Sequence, residues 1–160
     1  MGDVRIIGRY AKNKIISQSD EVFLKLDILK NNSTNLLKQI NYIYNDDSFI
    51  QPNAKINAKI LLWIRQKVND IKDVKSKTLI ELYCGAGNFS LGLSDIFKQV
   101  LSSEISKKFI SLAQANAQNN NITNVQFLRM SAKDFCDCKN KVREFRRCSH
   151  LDLDNYPLDC

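Results

Sequence analysis

Thr78–Leu93 reads TLIELYCGAGNFSLGL. Leu79–Tyr83 is an apolar run of strand length, and Phe89–Phe97 has the spacing of a helix. Between them lies Cys84-Gly85-Ala86-Gly87-Asn88. Two glycines one residue apart let the backbone turn sharply and approach a ligand with no side chain in the way. The helix that follows presents free backbone N–H groups. A strand, a glycine turn and a helix together form the opening of an α/β cofactor-binding domain.

The chain beyond this turn keeps alternating. Gln99–Ser103 is a second strand candidate, Lys107–Gln118 an amphipathic helix closed by Asn119-Asn120-Asn121, and Val125–Met130 a third strand. A βαβαβ run of this length implies parallel strands. Ligands of such sheets sit outside the carboxyl ends of the strands, so the residues just after each strand are the ones to inspect. After the second comes Glu104, 17 residues past Gly87, near the ~20-residue spacing at which an acidic residue reaches ribose hydroxyls. After the third come Ser131-Ala132-Lys133-Asp134, expected to meet the adenine edge. Gly87 is followed by Asn88, Phe89 and Ser90, so the third glycine of the dinucleotide fingerprint is missing. That glycine serves close helix–strand packing beside a pyrophosphate. Its absence suits a smaller adenosyl ligand without phosphates. The competing reading is a plain tight turn with a solvated glutamate.

Before the turn the pattern changes twice. Val4–Gly8, Lys14–Ser17, Val22–Leu29 and Leu36–Tyr44 read as extended pieces, broken by polar and glycine positions. Residues 1–50 are therefore expected to form a small β-rich appendage, and residues 51–160 a partial S-adenosylmethionine-binding domain. Pro52 ends the appendage by pushing Gln51 out of helical geometry. From Ala54 the period is helical: Ile56, Ile60, Ile64, Val68 and Ile71, widened by Leu61 and Trp63, form an apolar stripe expected to face the core.

The bulk composition narrows the class further. The chain has 160 residues, 44% hydrophobic, with 24 basic and 17 acidic residues and a net charge of +7. Such an excess draws polyanions through counterion release. Neither a membrane-length apolar run nor a secretory h-region is present, so a cytoplasmic protein with no membrane association is expected; a monomer is the expected state. Five cysteines, Cys84, Cys136, Cys138, Cys148 and Cys160, are expected to be reduced. Cys136-Asp137-Cys138, with Cys148 and His150, has one residue between its first pair where zinc sites use two or more, so no metal is expected. A thiol beside a helix N-terminus can be a nucleophile, but no histidine is near Cys84 in sequence, and packing or ligand contact is the preferred role.

Five motifs together resemble the tRNA (uracil-5-)-methyltransferase family. They are Ser48–Asn53 (SFIQPN), ELYCGAGNFSL from Glu81, SSEISK from Ser102, RMSAKDF from Arg129, and KVREFRR at Lys141–Arg147. ELYCG and KVREFRR resemble the tRNA branch more than the ribosomal-RNA branch. The resemblance implies a Rossmann-like class I methyltransferase domain with S-adenosyl-L-methionine as cofactor and tRNA as partner. The reaction implied is methylation of carbon 5 of a T-loop uridine. It maps cofactor contacts onto Gln51, Tyr83, Asn88 and Glu104, around Gly85 and Gly87. Gln51 follows from the resemblance alone. The family's nucleophilic cysteine and its base glutamate fall downstream of Cys160, so no catalytic residue is expected in this chain, which would be the cofactor-binding portion and inactive alone. Ribosomal-RNA or small-molecule methylation, and a non-catalytic RNA-binding module, are the alternatives.

Overall fold

A computed structural model describes residues 7–10, 13–16, 21–30, 35–45, 47–49 and 51–139. The KVREFRR motif, Cys148, His150 and Cys160 lie outside them, as do Val4 to Ile6 of the first expected strand. The fold is α/β, with two antiparallel hairpins leading into a parallel sheet. Strands β1 (Ile7–Tyr10) and β2 (Asn13–Ile16) form the first hairpin. Strands β3 (Glu21–Leu29) and β4 (Leu36–Asn45) form the second. Helix α1 (Ala54–Asn69) follows, then β5 (Thr78–Leu82), α2 (Asn88–Leu93), β6 (Gln99–Glu104), α3 (Lys107–Asn119), β7 (Val125–Arg129) and α4 (Ala132–Lys139). The sheet order is β5-β6-β7, and both pairings are parallel.

Local chemistry sets the helix starts. Asn53 caps α1, its Oδ1 accepting from Ile56 N at 3.1 Å, and Ser106 caps α3 through Phe109 N at 3.4 Å; each satisfies an otherwise orphaned donor. Helix α3 closes on Asn120, followed by Asn121 at φ 54°, where the asparagine run is expected to end it. Helix α2 is shorter than the expected Phe89–Phe97, because Ser94 to Ile96 leave the helix as a turn. No described helix is long and apolar enough to cross a membrane.

The second hairpin buries alternate residues, Leu26 and Ile28 on β3 and Ile40, Tyr42 and Tyr44 on β4, as a half-buried sheet must. Those side chains join Leu61, Leu91 and Val100 in one core. A polar seam fixes the contact. Asn116 of α3 donates to Ile43 O at 3.0 Å and Ala86 O at 3.2 Å, and accepts from Ile43 N at 2.7 Å. Asn120 pairs with the backbone of Asn41 in both directions.

Helix α1 departs from expectation. Its buried residues are Asn57, Leu61 and Arg65, whereas Ile56 is 49% and Trp63 59% exposed. Ile64 and Val68 pack against the core edge, and Ile71 lies past the helix. Two polar side chains turn the helix this way. Arg65 Nη1 donates to Gly92 O at 2.7 Å, and its guanidinium grips both Asp95 oxygens at 2.8 and 2.6 Å; Asn57 reaches Asn88. Lys38 of β4 also donates to Asp95, at 2.6 Å. Burial alone would raise the Asp95 carboxyl, but its hydrogen bonds from Arg65 and Lys38 outweigh that and hold it well below the usual range.

Candidate cofactor site

The carboxyl ends of β5 and β6 converge on the glycine turn. Gly87 N donates to Cys84 O at 2.9 Å, and Leu91 N to Gly87 O at 3.0 Å, which closes the turn onto α2. Three residues here have left-handed backbone: Tyr83 at φ 60°, Gly85 at 56° and Gly87 at 87°. For Tyr83 that conformation costs roughly 1–2 kcal/mol, a strain of the kind that gathers at functional sites. The two glycines differ in surroundings. A Cβ on Gly85 would meet nothing within 4 Å, so open space lies over the turn there. A Cβ on Gly87 would touch Leu91 Cγ and Phe127 Cζ at 3.4 Å and Ala113 at 3.5 Å. These are ordinary contacts, so it is the left-handed backbone that calls for glycine at Gly87; close packing falls instead to Gly92, where a Cβ would lie 2.5 Å from Leu61 Cδ2.

Glu104 ends β6, and its carboxylate is pinned by the backbone. Its Oε2 accepts from Gly85 N at 3.2 Å and Oε1 from Ser106 N at 2.9 Å. Each carboxylate oxygen keeps accepting capacity beyond those bonds. Asn88 opens α2. Its side chain pairs with Asn57, and Tyr42 Oη donates to Asn88 O at 2.8 Å. Gln51, in the segment before α1, completes the rim with the exposed rings of Phe49 and Tyr83.

One cleft therefore gathers Gln51, Tyr83, Gly85, Asn88 and Glu104. Gly87 is packed behind it. Among the described residues the cleft's acidic lining residues are Glu81 and Glu104, with no lysine or arginine beside them. Such a lining repels phosphates and favours a cation. The cleft holds about 220 Å³, below the ~300–1,000 Å³ typical of small-molecule sites, so the described residues enclose only part of a cofactor-sized ligand.

Two groups at the cleft are tuned by burial. Desolvation pushes the Glu81 carboxyl up to about 7, against the opposing hydrogen bond from Ser90. Ser90 in turn shares a 2.6 Å hydrogen bond with Ser102. For Cys84, burial, then the negative charges of Glu81 and Glu104, push the thiol far above its usual value. A thiol held protonated is no nucleophile, which favours packing for Cys84.

Pattern alone misses Glu81 and Asn57. Glu81 carried a signal, as a lone charge inside the apolar run TLIEL; Asn57, on a helix that also holds Gln66 and Asn69, carried none. Ser131 does not line the cleft. Its Oγ accepts from Asp134 N at 3.0 Å and donates to Asp134 Oδ2 at 2.6 Å, starting α4 instead.

The family model for tRNA (Uracil-5-)-methyltransferase matches residues 2–160. The chain belongs to this family. A tRNA/tmRNA (uracil-C(5))-methyltransferase of Shewanella baltica is 44% identical over 154 residues, covering 96% of this chain and 39% of the relative. One from Actinobacillus pleuropneumoniae is 44% identical over 157 residues, covering 98% and 39%. The chain thus spans about two-fifths of the length of the curated uracil-5 methyltransferases it matches. Among solved structures, a SAM-dependent methyltransferase from Agrobacterium tumefaciens aligns with a TM-score of 0.51 and 19% identity, over 71% of this chain and 35% of that one. Trm5b from Pyrococcus abyssi aligns with 0.53 and 13%, over 77% and 34%. These two establish the fold alone, a methyltransferase-type α/β fold.

Proposed function

We propose that this chain is the cofactor-binding portion of an enzyme that transfers a methyl group from S-adenosylmethionine to carbon 5 of a uridine in the tRNA T-loop. The observation that carries the reading is the cleft itself. Residues from Gln51 to Glu104 meet there around an open glycine turn, and among the described residues its lining carries two acidic side chains, Glu104 and Glu81, the latter titrating at about 7, and no basic one. S-adenosylmethionine is a sulfonium with an ammonium group and no phosphate, and it supplies an electrophilic methyl when bound. Glu104, already oriented by Gly85 N and Ser106 N, accepts from the two ribose hydroxyls. The turn at Gly85 lets the ligand lie against the backbone, and Asn88 and Gln51 offer amides to its polar end.

Family membership and the net charge of +7 support tRNA as the substrate class. Uracil carbon 5 is a weak nucleophile until a thiolate adds to carbon 6. The resemblance puts the family's residues for that step downstream of Cys160, and on that reading the 160 residues alone bind cofactor without methylating. Incubating the purified chain with T-loop RNA and methyl-labelled cofactor tests both halves. Cofactor-dependent thermal stabilisation with no label on RNA is expected. Salt-sensitive RNA binding with no cofactor effect would favour a pure RNA-binding module, and label on carbon 5 would refute the inactivity of the chain.

A further inference from the structure

We infer that Asn57 is a positioning residue that locks the Asn88 side chain in the orientation that receives the amino-acid end of the cofactor. The inference rests on the S-adenosylmethionine reading given above. Asn57 stands one turn into α1 and is 1% exposed. Its Nδ2 donates to Asn88 Oδ1 at 2.8 Å, and its Oδ1 accepts from Asn88 Nδ2 at 3.0 Å. A reciprocal amide pair couples the two orientations: while Asn57 stays as it is, only one orientation of Asn88 keeps both bonds. Turning Asn88 over would set N–H against N–H and oxygen against oxygen, replacing two attractions by two repulsions. The Tyr42 hydroxyl holds the Asn88 carbonyl from β4 at 2.8 Å, so backbone and side chain are fixed from two elements.

A primary amide has two N–H donors and two acceptor lone pairs. The pair consumes one of each from Asn88, which keeps one N–H and one lone pair and is a lining residue of the cleft. One N–H and one lone pair complement a carboxylate and an ammonium. The strand order says which part of the ligand arrives there. Glu104 ends the middle strand β6, Asn88 follows β5 on one side, and Ser131 follows β7 on the other. A ligand whose ribose sits on Glu104 and which crosses the turn reaches Asn88 with the group on its β5 side, where Gln51 also stands. Adenine then lies toward β7, leaving the amino acid for Asn88.

Calorimetric titration of the chain with S-adenosylmethionine and with 5′-methylthioadenosine, which lacks the amino acid, tests this. Asn57→Ala is expected to weaken S-adenosylmethionine about tenfold, the scale of one directed hydrogen bond, while leaving methylthioadenosine within about twofold. Asn88→Ala should do the same, and the double variant should be no weaker than Asn88→Ala alone. Asn57→Asp, which keeps the side-chain shape but opposes Asn88 Oδ1 with a carboxylate oxygen, carries the same expectation should the alanine variant fail to fold. Parallel losses for both ligands, or losses that multiply in the double variant, would assign Asn57 a structural role and overturn the inference. A wild-type chain that binds neither ligand would instead overturn the cofactor reading, and the inference with it.

Discussion

Asn116 and Asn88 are the same residue type in two neighbouring regions, and their surroundings differ in one respect. In the seam between the β3–β4 hairpin and α3, Asn116 is fully enclosed and spends its amide on three backbone groups, Ile43 N, Ile43 O and Ala86 O. At the turn, Asn88 is bonded on one side only and faces a cleft on the other. The seam is saturated; the site is held but left open. Saturation stabilises the fold, since a buried polar group without a partner costs ~1–3 kcal/mol. Open capacity gives nothing until a ligand fills it.

That contrast predicts opposite consequences for mutations a few ångströms apart. The largest effect belongs to the seam. Asn116→Ala unpairs one buried and two partly buried backbone groups and should cost on the order of 2–4 kcal/mol in urea unfolding, with cofactor affinity per folded molecule unchanged. An equal loss of affinity would show that the two regions are one.

Next comes the pH dependence carried by Glu81. Its carboxyl titrates at about 7 in the fold against an ordinary 4.5, so between those values the folded chain keeps a proton that the unfolded chain has released. Stability is then complete below the lower value and falls as pH rises through the upper one. The loss between pH ~5 and ~8 is on the order of 2–3 kcal/mol, and Glu81→Gln should flatten it. A wild-type urea midpoint that does not move across that range would contradict the burial of Glu81. Asp95 acts with the opposite sign, its contribution being lost only in strong acid.

Smallest for stability is Gly85→Ala. A methyl there meets no neighbour, so the cost is the positive φ alone, about 1 kcal/mol. The methyl would nonetheless fill the space above the turn, and cofactor affinity should fall by more than stability does. Equal changes would mean that no ligand approaches the backbone at Gly85.

Much of this arrangement is legible in the sequence. Leu79–Tyr83, the two glycines and Glu104 announced themselves because an apolar run, a chain reversal and a strand-end carboxylate each have a local pattern. The seam and the Asn57–Asn88 pair did not. Pattern reading assigns polar residues to the surface and places Ile56 and Trp63 in the core. The structure reverses this because an amide and a guanidinium with fixed partners can be buried, and partners 31 and 30 residues away leave no local trace. Gln51 is the converse case. No periodicity marks it, and only the resemblance of SFIQPN brought it forward.

The account stands or falls on whether the open side of the turn receives an adenosyl cation through Glu104. Titrating the chain and its Glu104→Ala variant with S-adenosylmethionine by calorimetry measures that most directly. Weak but measurable wild-type binding is expected, reduced in the variant by roughly 1.5–3 kcal/mol, the scale of hydrogen bonds to a charged group, with tRNA binding retained. Equal cofactor affinity in the two proteins would contradict it.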